Sequence, residues 1–202
     1  MSITIIAAVL FGILCGKFVI SPGLLPLIEG SAEWILAVML FVVGMDLGKN
    51  KDLAHQVRSL PKAALAVPFL IAGGSIAGAV LANLVLGLPP LEAAAVASGF
   101  GWYSLSGVLI AETYDTSLGA LAFLANVLRE VIAILIIPSV AAKLGWLSAV
   151  APGGATTMDV TLPIISRHTS PQVTLIAFYS GITLTLLVPI LLPIILHWAA
   201  LV

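Results

Sequence analysis

The sequence predicts an all-α, polytopic integral membrane protein, with about five transmembrane helices and two broken or re-entrant helical segments. Hydrophobic residues make up 61% of the 202 residues, charged residues make up only 8%, and the mean hydropathy is +1.22. Soluble domains contain about 25% charged residues, so this chain cannot cover a globular surface with polar groups. A water-soluble globular protein and a disordered chain are therefore both excluded.

The predicted spans are apolar stretches near the length of about 20 residues that crosses a bilayer. Pro22 and Gly23 end the first predicted span, and the polar loop 48–62 follows the second span. The third span contains no charged residue. No basic residue precedes the first span, so we interpret it as a retained helix rather than a signal peptide. We expect residues 1–202 to form a single transmembrane transport domain. The five spans cover residues 3–20, 32–47, 63–86, 118–142 and 174–199.

Two further apolar segments, residues 90–115 and 150–168, have poor helical composition in the middle. Glycine, serine and threonine fill their centres, in the runs SGFGWYSLSG and PGGATTMDVTLP. Non-helical backbone at membrane depth survives only where protein or a water-filled cavity satisfies its amide groups. We therefore predict that both segments are broken helices or re-entrant hairpins.

Basic residues favour the re-entrant interpretation. With five spans, six of the eight lysine and arginine residues fall on one side, which the positive-inside rule makes cytoplasmic. The N-terminus is then inside and the C-terminus outside, and segments 90–115 and 150–168 enter from opposite faces. Secondary transporters build a midplane site from such discontinuous elements. The six residues are Lys49, Lys51, Arg58, Lys62, Lys143 and Arg167.

Four charged residues within or beside the apolar segments are candidates for function. Arg129 and Glu130 lie near the middle of the fourth span, where a charge costs about 2.5–3.5 kcal/mol, and Asn126 shares their helical face. Arg129 either contributes to function or forms a structural pair with an acid. Asp159, among threonines in the second broken segment, either binds a ligand or caps a helix. Asp46, at the end of the second span, is either functional or simply solvated.

Composition also excludes several classes of ligand. The net charge of −1 provides no basic stripe for nucleic acid. One cysteine and three histidines without ligand spacing make a metal site unexpected. The chain has no phosphate-binding loop and no dinucleotide fingerprint. We therefore expect no nucleic-acid partner, no cofactor and no ATP-driven activity.

Three stretches resemble the lysine exporter LysO family, in order and spacing, over nearly the whole chain. They are residues 97–107, the pair Arg129-Glu130 followed by Pro138, and residues 154–163. The resemblance implies a transporter, not an enzyme, that exports L-lysine and its toxic analogue thialysine across the cytoplasmic membrane. It also implies that the family's intramembrane acids correspond to Glu130 and Asp159. Some relatives carry an extra N-terminal group of spans, and we expect this chain to be the short form.

We expect a secondary exporter of L-lysine or a related cationic amino acid, driven by proton antiport, that works as a homodimer surrounded by membrane lipid. Its two acids can neutralise the ammonium groups of the substrate, or one of them can exchange a proton. The alternatives are an exporter or channel for another small solute, and an intramembrane protease with a Glu/Asp dyad. The candidate substrate- and proton-binding residues are Glu130, Asp159, Asn126, Arg129, Ser104, Ser106, Thr156, Thr157, Asp46, Trp102 and Tyr103.

Overall fold

The computed structural model describes residues 62–201 as a continuous chain, together with residues 7, 11–12, 14–24, 27, 31, 34, 38, 41–42 and 45. Within these residues every regular element is a helix, which confirms the all-α prediction. The predicted spans at 3–20 and 32–47 and the loop 48–62 fall mostly outside the described residues, and Asp46 falls outside them. From residue 62 the helices are α1 (Lys62–Leu65), α2 (Val67–Leu86), α3 (Pro90–Ala97), α4 (Tyr103–Thr113), α5 (Thr116–Leu144), α6 (Leu162–His168) and α7 (Pro171–Ala199).

Three helices in the described chain are long and apolar enough to cross a membrane, and they match the last three predicted spans. Helices α5 and α7 begin two to three residues earlier than predicted, because polar residues cap them. Asp115 accepts a hydrogen bond from the amide of Leu118 at 2.7 Å, and Ser170 accepts one from Val173 at 3.4 Å. The three candidate spans are Val67–Val85, Thr116–Leu144 and Pro171–Ala199.

The first broken segment consists of α3 and α4, separated by the turn at residues 98–102. Phe100 and Gly101 have positive φ angles of 48° and 102°, a backbone geometry that ends α3 and redirects the chain. The hydroxyl of Tyr114 donates to Oε1 of Glu92 at 3.0 Å, so the end of α4 lies beside the start of α3. The segment is thus a helical hairpin whose two ends lie together.

The second broken segment connects the end of α5 to the start of α7. It contains two short 3-10 helices, Leu147–Val150 and Gly154–Met158, followed by α6. The first hairpin leads into the start of α5 and shares a cavity wall with Ala199 at the end of α7. The two broken segments therefore begin and finish at opposite ends of the helix bundle.

The first break (residues 98–104, the turn and the start of α4) and the second break (residues 145–161, between α5 and α6) meet between α5 and α7. The amide of Ala155 donates a hydrogen bond to the carbonyl of Phe100 at 2.8 Å, which joins the segments through their main chains. Helix α7 approaches the second break at Gly181, where a Cβ atom would collide with the backbone amide of Met158. This close approach places the second break against α7, and the hydrogen bond from the amide of Gly101 to Oδ1 of Asn126 places the first break against α5.

Candidate functional site

A cavity of about 320 Å³ lies where the two breaks meet α5 and α7. Such a volume is at the lower end of the roughly 300–1,000 Å³ typical of small-molecule sites. Six of the predicted site residues line it, and these come from the first break, α5 and the second break. The complete lining is Gly101, Trp102, Tyr103, Ser104, Glu130, Ala155, Thr156, Met158, Asp159, Val160 and Thr185.

Glu130 and Asp159 bring two half-buried carboxylates to this cavity from separate elements. Among the described residues, no hydrogen bond or ion pair engages the carboxylate of Glu130. The Oδ1 atom of Asp159 accepts a hydrogen bond from the next amide, that of Val160, at 2.6 Å. Asp159 does not cap α6, because the cap position belongs to Thr161. Both acids therefore face the cavity without a basic partner in the described part of the chain.

Arg129 extends away from the two acids and binds main-chain oxygens of the second break. Its Nε donates to the carbonyl of Pro152 at 3.2 Å and its Nη2 to that of Ala151 at 3.3 Å. Its Nη1 donates to the hydroxyl of Ser75 on α2 at 3.0 Å. No ion pair connects Arg129 to an acid within residues 62–201. The guanidinium thus fixes the break to α2 and α5 and leaves Glu130 uncompensated.

Asn126, one turn before Arg129, supports the first break rather than lining the cavity. Its Oδ1 accepts a hydrogen bond from the amide of Gly101 at 2.7 Å, and its Nδ2 donates to the carbonyl of Val96 at 3.0 Å. Ser106 also lies behind the cavity, where its hydroxyl donates to the carbonyl of Trp102 at 2.9 Å. Asn126 thus satisfies main-chain groups that the interruption of the helix leaves unpaired, whereas the carbonyl of Trp102 also accepts the amide of Ser106 at 3.0 Å.

The two threonines predicted at the second break have different surroundings. Thr157 is fully buried, and its Oγ1 lies 2.8 Å from the carbonyl oxygens of both Gly154 and Ala177. It therefore ties the break to α7. Thr156 donates to the carbonyl of Gly153 at 2.9 Å, and it also lines the cavity.

The first break contributes aromatic rings and a helix N-terminus. The ring of Tyr103 packs edge-to-face on Phe123, with centroids 5.4 Å apart and an interplanar angle of 84°. Helix α4 begins at Tyr103, and no side chain caps it at Trp102. Tyr103 and Ser104, the first two residues of α4, line the cavity, and the helix dipole at this end of α4 favours negative charge. The described residues contain no group of three His, Cys, Asp or Glu side chains that could hold a metal ion.

Sequence reasoning missed the part of the lining that Met158, Val160 and Thr185 provide. Thr185 lies on α7, and its hydroxyl donates to the sulfur of Met158 at 3.5 Å. Gly181 and Thr185 share one face of α7 because they are four residues apart, but Ser180 and Thr183 on the same helix also carry hydroxyl groups, so the sequence alone did not single Thr185 out. Asp46, the remaining predicted residue, lies outside the described residues.

Comparisons with known proteins confirm the resemblance to the family. The sequence model of the family described as "Lysine exporter LysO" matches residues 6–196. A protein of Escherichia coli (strain K12) named "Lysine exporter LysO" is 37% identical over 162 residues, 80% of this chain and 54% of that protein. A protein of Haemophilus influenzae named "Putative lysine exporter" is 32% identical over 188 residues, 93% of this chain and 92% of that protein.

The chain spans about half the length of the E. coli relative but most of the H. influenzae one. No solved structure matches it. The relatives are named as transporters rather than enzymes. The family match covers nearly all of the chain, and the long apolar helices are those of a membrane protein. The protein therefore belongs to the lysine exporter LysO family.

Proposed function

We propose that the protein exports L-lysine, or a related cationic amino acid, across the cytoplasmic membrane as a secondary transporter. One observation carries the proposal. Two carboxylates, Glu130 and Asp159, line a single cavity between the two breaks and have no basic partner among the described residues. Uncompensated acids in an apolar bundle are costly unless a ligand or a proton neutralises them. The names of the two relatives point to lysine as that ligand.

The lining of the cavity suits an amino acid with a second ammonium group. The two carboxylates provide negative charge for the α- and ε-ammonium groups. The uncapped start of α4, at Tyr103 and Ser104, provides amide donors for the α-carboxylate. The arrangement resembles the midplane sites of transporters with discontinuous helices. Thialysine has a sulfur atom in place of one side-chain methylene of lysine. Its two ammonium groups and its carboxylate therefore fit the same set of lining groups.

We also propose that export is coupled to proton antiport. A carboxylate that binds an ammonium group must be ionised, whereas a protonated carboxylate no longer attracts the substrate. Protonation of Glu130 or Asp159 from the outside would therefore release a cationic amino acid there. Deprotonation towards the cytoplasm would restore the empty, ionised site, and one cycle would exchange substrate for protons.

The proposed topology has both broken segments re-entering the membrane from opposite faces, with the loop 48–62 in the cytoplasm. The contact between Tyr114 and Glu92 supports re-entry of the first segment. Basic residues near the start of α2, the end of α5 and the end of α6 support the orientation. The hydroxyl of Tyr179, in the first third of α7, donates to the carbonyl of Leu65 at 3.4 Å, which supports a location of the starts of α2 and α7 on one side. The basic residues are Lys62, Lys143 and Arg167.

We further propose that the functional unit is a homodimer or larger. Among the residues that the structure describes, a Cβ atom added at Gly73, Gly74 or Gly78 of α2 would meet nothing within 4 Å. Small residues on an open helix face permit close packing of membrane helices. The mass of the protein in a mild detergent tests this proposal, and single reconstituted copies with full transport activity would count against it.

Uptake of labelled lysine into inverted membrane vesicles tests the proposed function. Vesicles that contain the protein should accumulate lysine when their lumen is acidic, and unlabelled thialysine should compete. Glu130→Gln should abolish uptake, whereas Glu112→Gln, which neutralises an exposed acid outside the cavity, should not. Lysine uptake that is unaffected by a pH gradient would refute antiport. Absence of lysine uptake, with transport of another solute, would favour the alternative substrate class.

A further inference from the structure

We propose that Met158, held in place by Thr185, determines which side-chain length the site accepts. The inference rests on the proposed function, because it concerns the substrate of the same cavity. Met158 contributes to the lining directly before Asp159, one of the two acids. Because Met158 and Thr185, which bonds its sulfur, both line the cavity, we expect the Met158 side chain to lie beside a ligand of Asp159.

Methionine is usually an adaptable filler, because it is unbranched and has three rotatable side-chain bonds. Here two residues on one face of α7 restrict it. Gly181 lies so close that a Cβ atom there would reach within 2.7 Å of the Cβ of Met158. Thr185, one turn later, donates a hydrogen bond to the Met158 sulfur at 3.5 Å. These contacts restrict the side chain at its Cβ and at its sulfur, so we infer that Met158 forms a fixed wall of the cavity.

The chemistry of lysine assigns the aliphatic stem to this wall. Charged and polar lining groups, namely Glu130, Asp159 and the amides at the start of α4, attract the charged ends of the substrate. The methylene groups between those ends need apolar surface. Against polar groups they would displace water without replacing its hydrogen bonds, which costs free energy. Met158 and Val160 flank Asp159 and provide that surface, and Met158 has the greater reach.

The expected discrimination follows from the length of the stem. One methylene more or less in an apolar pocket changes specificity by roughly 10–200-fold. Ornithine has one methylene fewer than lysine, and arginine has a longer, bulkier head group. A rigid wall should favour lysine over both. Substitution of Met158 by alanine removes three non-hydrogen atoms from the wall of a cavity of only about 320 Å³. The site should then no longer distinguish substrates by the length of their side chains.

The test compares the uptake of lysine, ornithine and arginine into inverted vesicles by the wild type and three variants. Wild type should prefer lysine to ornithine by roughly tenfold or more. Met158→Ala should reduce that ratio to about twofold or less and admit arginine. Thr185→Val keeps the side-chain shape but removes the hydrogen bond to sulfur, so it should lower the ratio part of the way. The matched control is Thr183→Val, because Thr183 donates to the carbonyl of Tyr179 and does not line the cavity.

The outcomes separate the two proposals. If the wild type transports no cationic amino acid, the proposed function fails and this inference fails with it. If the wild type transports lysine and both Met158→Ala and Thr185→Val retain its selectivity, only the inference is overturned. If Met158→Ala does not accumulate in the membrane, the ratio measured with Thr185→Val decides. An equal loss of selectivity in Thr183→Val would indicate a general disturbance of α7 and would also refute the inference.

Discussion

Substitution of Gly154 by alanine should destabilise the junction of the two breaks more than the same change at Gly78 or Gly181. Gly154 has a φ angle of +62°, which costs an L-residue roughly 1–2 kcal/mol. Its added Cβ would collide with the carbonyl oxygen of Phe100 and lie 2.8 Å from Nη2 of Arg129. Main-chain atoms cannot move aside as a flexible side chain can, and overpacking of this kind costs about 1–3 kcal/mol.

The two contributions sum to about 2–5 kcal/mol, equivalent to a factor of about 30 to 4,000 in the folding equilibrium constant. By the scaling of roughly 2–4 °C per kcal/mol for chains of this size, the melting temperature should fall by about 4–20 °C. The measurement is thermal unfolding of purified protein in a mild detergent. Lysine uptake by the same variant in inverted vesicles, measured at a temperature where it remains folded, should also fall, because the break carries Asp159.

Two other glycines provide matched controls. Gly78→Ala should be neutral or stabilise the protein by up to about 1 kcal/mol, because Gly78 lies in a helix and its added Cβ would meet no atom of the described residues within 4 Å. Gly181→Ala should be intermediate, since its Cβ would collide with the backbone of Met158 but its φ angle is helical. Unfolding of Gly154→Ala within 1 °C or so of the wild type would refute the reasoning.

Three further predictions concern the acids, the arginine and the topology. Glu130→Gln and Asp159→Asn should each abolish lysine uptake while the protein still accumulates, and the double variant should lose no more if the acids act as a unit; near-normal uptake by either single variant would contradict a shared site. Arg129→Lys keeps the charge, but the lysine should reach one hydrogen-bond acceptor in place of three. At about 0.6–2 kcal/mol per lost hydrogen bond, the protein should be destabilised by ~1–4 kcal/mol in thermal unfolding. Unfolding identical to the wild type would count against the role of the guanidinium. Lys143→Cys, in a Cys15→Ser background, should resist an impermeant thiol reagent added to intact cells, and labelling from outside would reverse the proposed orientation.

The sequence was sufficient to predict three spans of the described chain, because membrane insertion requires a long apolar stretch and little else. Their starts were less accurate, because Asp115 and Ser170 continue the helices as caps although both residues are also common in loops. The positions of the two breaks were predictable from glycine-rich and hydroxyl-rich composition. The contact between the two breaks was not predictable, because it joins main-chain atoms of residues 55 positions apart.

The acids that line the cavity were predictable for a related reason. A carboxylate within an apolar stretch is costly, so Glu130 and Asp159 were conspicuous in the sequence. Met158 and Thr185 carry no such cost in an apolar environment, and nothing in their composition separated them from packing residues. The partners of Arg129 were also hidden, because they are carbonyl groups, which every residue of the chain possesses, and one serine hydroxyl.

The hydrogen bond between Phe100 and Ala155 has a consequence for how this fold can vary. Its donor and acceptor belong to the polypeptide backbone, so almost any side chain at either position leaves its chemistry unchanged. Only proline at position 155 would delete the donor. Natural variation at the junction is therefore limited by dihedral angle and by space, as at Gly154, rather than by functional group. Mutational scanning of residues 100 and 155 should accordingly show which side-chain sizes are tolerated there. It would not detect the main-chain hydrogen bond, because most substitutions leave that bond in place.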